Sequence, residues 1–125
     1  MPRFVVLEHD HPSLHWDLML EAGETVLTWR LASPPQPEKT IAAIFLAQHR
    51  RIYLDYEGPV SRGRGVVARW DSGTFDWIVR KDDSVAVSLA GNRTRGQATL
   101  ECVDGNDWTF ILSDSSVSRS CLPED

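Results

Sequence analysis

Cysteine is nearly missing from this sequence. The two thiols, Cys102 and Cys121, stand far apart with no CxxC pairing, so no zinc or redox motif can be read from them. In a reducing compartment they are expected to be separate small thiols and not a disulfide. Long apolar runs are missing as well. The longest is the six-residue "IAAIFL" at 41–46, against about 18 residues for a membrane-spanning helix. The opening "MPRFVVLEHD" carries no signal-peptide core, because its apolar stretch is short and a histidine-acid cluster follows at once. A cytoplasmic protein without membrane association is therefore the expectation.

Lysine is scarce too, two residues against eleven arginines, and the net charge is −5. An acidic balance argues against a broad, non-specific nucleic-acid binder, which needs a large basic face. Arginine, however, offers a planar fork that grips phosphate through two hydrogen bonds, where lysine is a hydrated point charge. Arg50, Arg51, Arg62, Arg64 and Arg69 gather in one middle segment. Composition alone favours a solvated polar face there, and a local phosphate-recognising patch is the sharper alternative.

What is present fits one domain around one core: 125 residues, 42% hydrophobic and 25% charged. Ten short stretches read as strands, β-branched or aromatic and bounded by turn residues. They are 3–9, 15–22, 25–32, 42–49, 51–58, 65–73, 74–80, 84–91, 96–104 and 107–114. "EAGET", "WDSGTF", "AGNRTRG" and "VDGND" supply hairpin turns. Many short strands at regular spacing predict an all-β fold, an antiparallel barrel or sandwich. "SPPQPEKT" at 33–40 is a proline-rich loop that could lead into one short helical turn. The expected domain runs over 1–113, followed by a polar, frayed tail at 114–125.

Histidine is sparse, yet three of four fall within "EHDHPSLHWDLMLE" at 8–21. His15 and Asp17 are two apart in a strand, so they leave the same face about 6–7 Å apart. His9 shares their parity but joins them only if the chain reverses through "DHPSL". Leu14, Trp16, Leu18 and Leu20 then take the other face, toward the core. Two imidazoles and a carboxylate suit Mn, Fe, Zn or Co and leave positions open for water or a substrate oxygen. His11 lies in the turn and reads as an exposed bystander. The bland alternative is that His9 and His15 make ordinary hydrogen bonds. His49, Arg51 and Tyr53 alternate in "QHRRIYLDYEG" and could share one strand face beside such an ion. An imidazole, a cation and a phenol there would suit a phosphate ester. A 2-His-1-carboxylate oxygenase set built from His15, Asp17 and His49 is disfavoured, because it leaves His9 unexplained.

"RFVVLEHDHPSLHWDLMLE" is similar to the opening of the 3′-phosphoesterase domain attached to bacterial ATP-dependent DNA ligase D. The likeness continues through "VLTW", "AQHRRIYLDYEG", "RGVVARWDSGTF", "LAGNRTRGQATL" and "WTFILS", in collinear order over about nine-tenths of the chain. The resemblance implies a compact antiparallel β-barrel with a catalytic Mn²⁺, Zn²⁺ or Co²⁺ being the alternatives. It implies trimming of nucleic-acid 3′ ends in DNA repair, by removal of a 3′-ribonucleotide and then a 3′-phosphate. By position, His9, His15 and Asp17 match the metal ligands, His49 the phosphate-contacting histidine and Tyr53 a supporting tyrosine. Arg51, Arg62 and Arg64 are the phosphate-binding candidates. The expected partner is a nucleic-acid 3′ end or another phosphate ester, with ligase or polymerase proteins acting in trans on a monomer.

The chain departs from the family pattern where the shell around the metal is polar. The family arginine after the metal aspartate is Met19, and a glutamine before the first histidine is Leu7. The lysine of a Pro-Lys-Gly segment has no counterpart at Ala32-Ser33-Pro34, and an acid pair is Ala47-Gln48. Each lost phosphate-facing cation costs on the order of 2–4 kcal/mol of transition-state stabilisation. Three outcomes follow: Arg51, Arg30, Arg62 or Arg64 substitutes, the substrate differs, or the chain binds phosphate termini with weak or no catalysis.

Overall fold

The computed structural model, which describes residues 1–113, has nine strands, most of them with apolar and polar side chains in alternation. They are β1 Arg3–His9, β2 His15–Ala22, β3 Thr25–Leu31, β4 Thr40–Arg50, β5 Gly58–Pro59, β6 Val66–Arg80, β7 Ser84–Gly91, β8 Arg95–Asp104 and β9 Asp107–Ser113. All strand pairings are antiparallel. The sheet order β1-β2-β3-β4-β9-β8-β7-β6 closes on itself through β1 against β6, and two-residue β5 lies beside the start of β6. The fold is thus the expected all-β antiparallel barrel. One short 3₁₀ turn, Arg51–Leu54, is the sole helical element among the described residues. No helix there is long and apolar enough to cross a membrane.

One face of every barrel strand fills the interior. Phe4, Leu18, Trp29, Ile41, Phe75, Val87, Leu100 and Phe110, from eight different strands, belong to a single buried cluster. β1 and β2 are unusual because their other face is buried too. Val5, Leu7 and Met19 pack with Val26, Val67 and Leu54 in a second cluster, covered by Tyr53, Tyr56 and Val60 from the segment after β4. This two-sided burial explains why "FVVL" and "LML" read as continuous apolar runs instead of alternating.

The structure corrects four expectations. The predicted strand 51–58 begins instead as the 3₁₀ turn, which folds the chain back over the sheet and buries Leu54. The predicted strands 65–73 and 74–80 are one continuous β6. Gly73 marks a close strand approach and not a turn: a Cβ there would lie 2.1 Å from the Ala90 carbonyl oxygen of β7. The loop at 33–40 leads straight into β4, without a helical turn. Leu14 is 53% exposed, because the chain reversal lifts it off the sheet before β2 begins. The "WDSG" aspartate is structural as well. Asp71 is buried and accepts the backbone N–H groups of Asn92, Arg93 and Thr94, closing the β7–β8 turn. Cys102 is a free thiol. Cys121 and the predicted tail 114–125 lie outside the described residues.

Candidate metal centre

Pairing of β1 with β2 sets His9 directly opposite His15, and Asp17 follows two residues along β2 on the same face. The imidazole centroids are 4.9 Å apart. The reversal between them is held from outside the hairpin. The Asp10 carboxylate accepts the Val66 N–H at 2.9 Å and packs against Gly65, at φ +81°, where a Cβ would meet it at 2.3 Å. Glycine fits there and a side chain does not. His11 is exposed, 6.4 Å from the His9 ring, as expected for a bystander.

Each imidazole has one nitrogen fixed by a backbone carbonyl. His9 Nε2 donates to the Arg64 carbonyl at 2.8 Å, and His15 Nδ1 donates to the Ser13 carbonyl at 2.8 Å. A carbonyl can only accept, so those nitrogens carry the proton of the neutral ring. The lone pairs are left on His9 Nδ1 and His15 Nε2. This is how metal-binding histidines are held, with the second nitrogen oriented by a carbonyl or carboxylate. Ligand atoms from His9, His15 and Asp17 all lie within 4.8 Å of one another. No other trio of such side chains gathers this closely among the described residues.

His15 and Asp17 are only 5% and 7% exposed, and His15 Nε2 is 3.4 Å from Asp17 Oδ2. Both His15 Nε2 and Asp17 Oδ1 are buried without a hydrogen-bond partner in the protein. Each such group costs about 1–3 kcal/mol when buried unpaired. Both atoms are acceptors, so a cation satisfies them and another acceptor would not. The N₂O donor set, with three protein ligands and positions left over, fits a divalent transition metal.

Beside this trio lies a cavity of about 220 Å³. His9, Asp17, Arg30, His49, Tyr53 and Arg64 form its polar wall, and Leu7, Met19, Leu46, Val60 and Val67 its apolar wall. The structure therefore brings His49 and Tyr53 to the same place as the trio. Their rings are 6.2 Å apart, and His49 Nδ1 is buried without a partner. The route is not the predicted one, since His49 sits at the end of β4 while Tyr53 arrives from the 3₁₀ turn.

That break in alternation separates the arginine candidates. Arg51 turns away and pairs with Glu21, outside the cavity lining. The Glu21 carboxyl is held below the ordinary glutamate range, first by the Arg3 backbone N–H and then by the Arg51 guanidinium. Arg62 lies in the exposed turn before β6 and does not line the cavity. Arg64 lines it, but its Nε and one terminal nitrogen donate to Ser61 at 2.9 and 3.1 Å. Arg30 faces Asp17 across the β2–β3 ladder, with Nε 3.7 Å from Asp17 Oδ1. Its parity in "VLTWRL", opposite to Leu27, Trp29 and Leu31, was the sequence signal that singles it out. The carbonyl of Arg64, which orients His9, had no sequence signal, because backbone atoms carry none.

The stretch of sequence that builds this site matches known proteins. A profile of the DNA Ligase D 3′-phosphoesterase domain matches residues 7–101. The "Multifunctional non-homologous end joining DNA repair protein LigD" of Mycobacterium tuberculosis is 32% identical over 114 residues, covering 84% of this chain and 15% of that protein. The "Multifunctional non-homologous end joining protein LigD" of Mycolicibacterium smegmatis is 26% identical over 139 residues, covering 98% of this chain and 18% of its own length. The protein of the same name from Pseudomonas aeruginosa is 32% identical over 78 residues, 58% of this chain and 9% of the relative. The chain spans less than a fifth of the length of each of these relatives. On the extent of the profile match and the identity to these relatives, the chain belongs to the DNA ligase D 3′-phosphoesterase domain family.

Proposed function

We propose that this chain is a divalent-metal-dependent phosphoesterase that trims 3′ ends of nucleic acid during DNA repair by end joining. The observation that carries the reading is the convergence of two imidazole lone pairs and one buried carboxylate on the rim of a cavity that His49 and Tyr53 also line. The repair context is supported by relatives whose names describe multifunctional end-joining repair proteins.

His9 Nδ1, His15 Nε2 and the Asp17 carboxylate would hold the ion, with Mn²⁺ the metal that the family resemblance implies and Zn²⁺ or Co²⁺ the alternatives. When bound, the ion supplies Lewis-acid polarisation of a phosphoryl oxygen and a more acidic water. The protein's own groups do the rest. His49, with an unpartnered ring nitrogen, contacts the phosphate and moves a proton to the departing oxygen. The Tyr53 ring, edge-on to His49, keeps that imidazole turned toward the cavity. The apolar wall of Leu7, Met19 and Val67 limits competing water.

The direct test offers Mn²⁺-loaded protein a DNA primer-template ending in a 3′-phosphate, and a second ending in a 3′-ribonucleotide. Release of phosphate or nucleoside is expected from the wild type, with a loss of about 10³-fold or more in His15→Ala. Absence of turnover on both substrates would overturn the hydrolase reading.

A second reading has its own observation. Met19 and Leu7 are 3% and 1% exposed, so an apolar floor stands where the family keeps an arginine and a glutamine. A module that grips phosphate termini without cutting them follows from that floor. It is distinguished by metal-dependent retardation of 3′-phosphorylated DNA in a gel with no product formed.

A further inference from the structure

Five of the ten arginines among the described residues have company that accounts for them. Arg3 pairs with Asp55 at 2.9 Å, and Arg51 pairs with Glu21. Arg64 is tied to Ser61. Arg80 and Arg93 lie over the Trp77 and Trp70 rings, at 4.5 and 4.7 Å from the centroids. Arg30 is different. It stands in the cavity wall with its side chain 35% exposed, and its buried Nε makes no hydrogen bond. Asp17 Oδ1 at 3.7 Å is near enough to orient the guanidinium and too far to saturate it.

Resting on the metal-dependent reading above, we propose that Arg30 is the phosphate-binding cation of this site, gripping the non-bridging oxygens of a 3′-terminal phosphate. The register supports the reach. β3 pairs Arg30 with Asp17 and Thr28 with Met19, so Arg30 enters over the acid from the neighbouring strand, beside the apolar Met19. A guanidinium has two hydrogen-bonding edges. The Nε edge faces Asp17, which fixes the plane, and the terminal edge is left to meet a planar pair of phosphate oxygens. Charge adds to the case. With a divalent ion bound, one carboxylate and the two arginines of the wall, Arg30 and Arg64, leave a pocket of net charge about +3, which favours a phosphomonoester dianion. A diester, with one negative charge, would be held less well.

The competing account is that Arg30 merely neutralises Asp17. The two accounts are separated by what the arginine affects, the ion or the anion. Mn²⁺-loaded full-length chain is titrated with two DNA duplexes and followed by fluorescence anisotropy. One ends in a 3′-hydroxyl. The other ends in a 3′-phosphonomethyl group, a dianion whose C–P bond resists hydrolysis. Mn²⁺ affinity is measured in parallel by electron paramagnetic resonance, on wild type, Arg30→Gln, Arg30→Lys and a Lys39→Ala charge control.

Wild type and Lys39→Ala are expected to prefer the phosphonate end by tenfold or more. Arg30→Gln should abolish that preference while Mn²⁺ affinity stays within about twofold, and Arg30→Lys should keep part of it. If wild type also turns over a 3′-phosphate, Arg30→Gln should lower kcat/KM by about 10²–10³. A retained preference in Arg30→Gln, or no preference in wild type, overturns the proposal. A shift in Mn²⁺ affinity with the preference intact overturns it in favour of simple neutralisation. Because the probe is not cleaved, failure of the hydrolase reading shows separately, as missing turnover.

Discussion

A neutral imidazole has a single N–H, and what receives it decides which nitrogen is left to bind. In this protein two backbone carbonyls make that choice, so both rings offer lone pairs to the same point as Asp17. The spacing His-x5-His-x-Asp was enough to suggest the trio. It could not say which nitrogen of each ring would serve, since Ser13 and Arg64 act through their carbonyls and any residue type has one. The prediction at this scale needs no substrate. An ion that binds only the folded state raises stability by about 2.7 kcal/mol at 100 times its Kd. Wild type should therefore melt several degrees higher with excess Mn²⁺ than with chelator. His15→Ala and Asp17→Asn should show no such rise. Differential scanning fluorimetry with and without metal reads this, and equal shifts in all three proteins would remove the site.

At the scale of single elements, the 3₁₀ turn Arg51–Leu54 decides where His49 and Tyr53 meet, and it is fastened at both ends. Arg51 binds Glu21 of β2 near its start, and Arg3 of β1 binds Asp55 just past its end. Strand alternation had put Arg51 beside the phosphate, and a turn that bends after Arg50 instead points it at Glu21. The tertiary pull is burial of Leu54 against the second face of β1 and β2, an energy of about 1.5–3 kcal/mol that propensity scales do not contain. The fastening has an acid limit. The Glu21 carboxyl is depressed by the Arg3 N–H and the Arg51 guanidinium. Its contribution is thus fully present above the unfolded glutamate pKa of 4.5 and is lost as pH falls through the lower folded value. Glu21→Gln should cost about 1 kcal/mol at pH 7. The gap to wild type should close progressively below pH 4.5, in urea titrations run from pH 7 to 3. A gap constant across that range would show that the pair contributes nothing.

At the scale of the whole molecule, closure of β6 on β1 turns eight strands into one barrel with a single interior. The candidate site does not lie in that interior. It lies on the outer face of β1, β2 and β3, roofed by the segment that follows β4. The two layers should therefore respond differently. Phe110→Ala, in the barrel interior, should cost about 3–5 kcal/mol and lower the cooperative unfolding midpoint. Leu54→Ala, in the roof, should chiefly accelerate amide exchange over residues 51–60 and weaken substrate binding, leaving exchange in β7 to β9 nearly unchanged. Exchange that rises uniformly in both variants would mean that roof and barrel unfold as one unit.

The sequence by itself determined the all-β class, most strand positions and the grouping of His9, His15 and Asp17. Period-two alternation, turn residues and short-range spacing are local properties written in neighbouring letters. Only tertiary structure decided that β6 runs unbroken through Gly73, that Arg51 faces Glu21, and that Arg30 stands alone over Asp17. Those outcomes depend on which strands lie side by side and what each face buries. That is a matter of contacts between residues far apart in the chain, which no local pattern encodes.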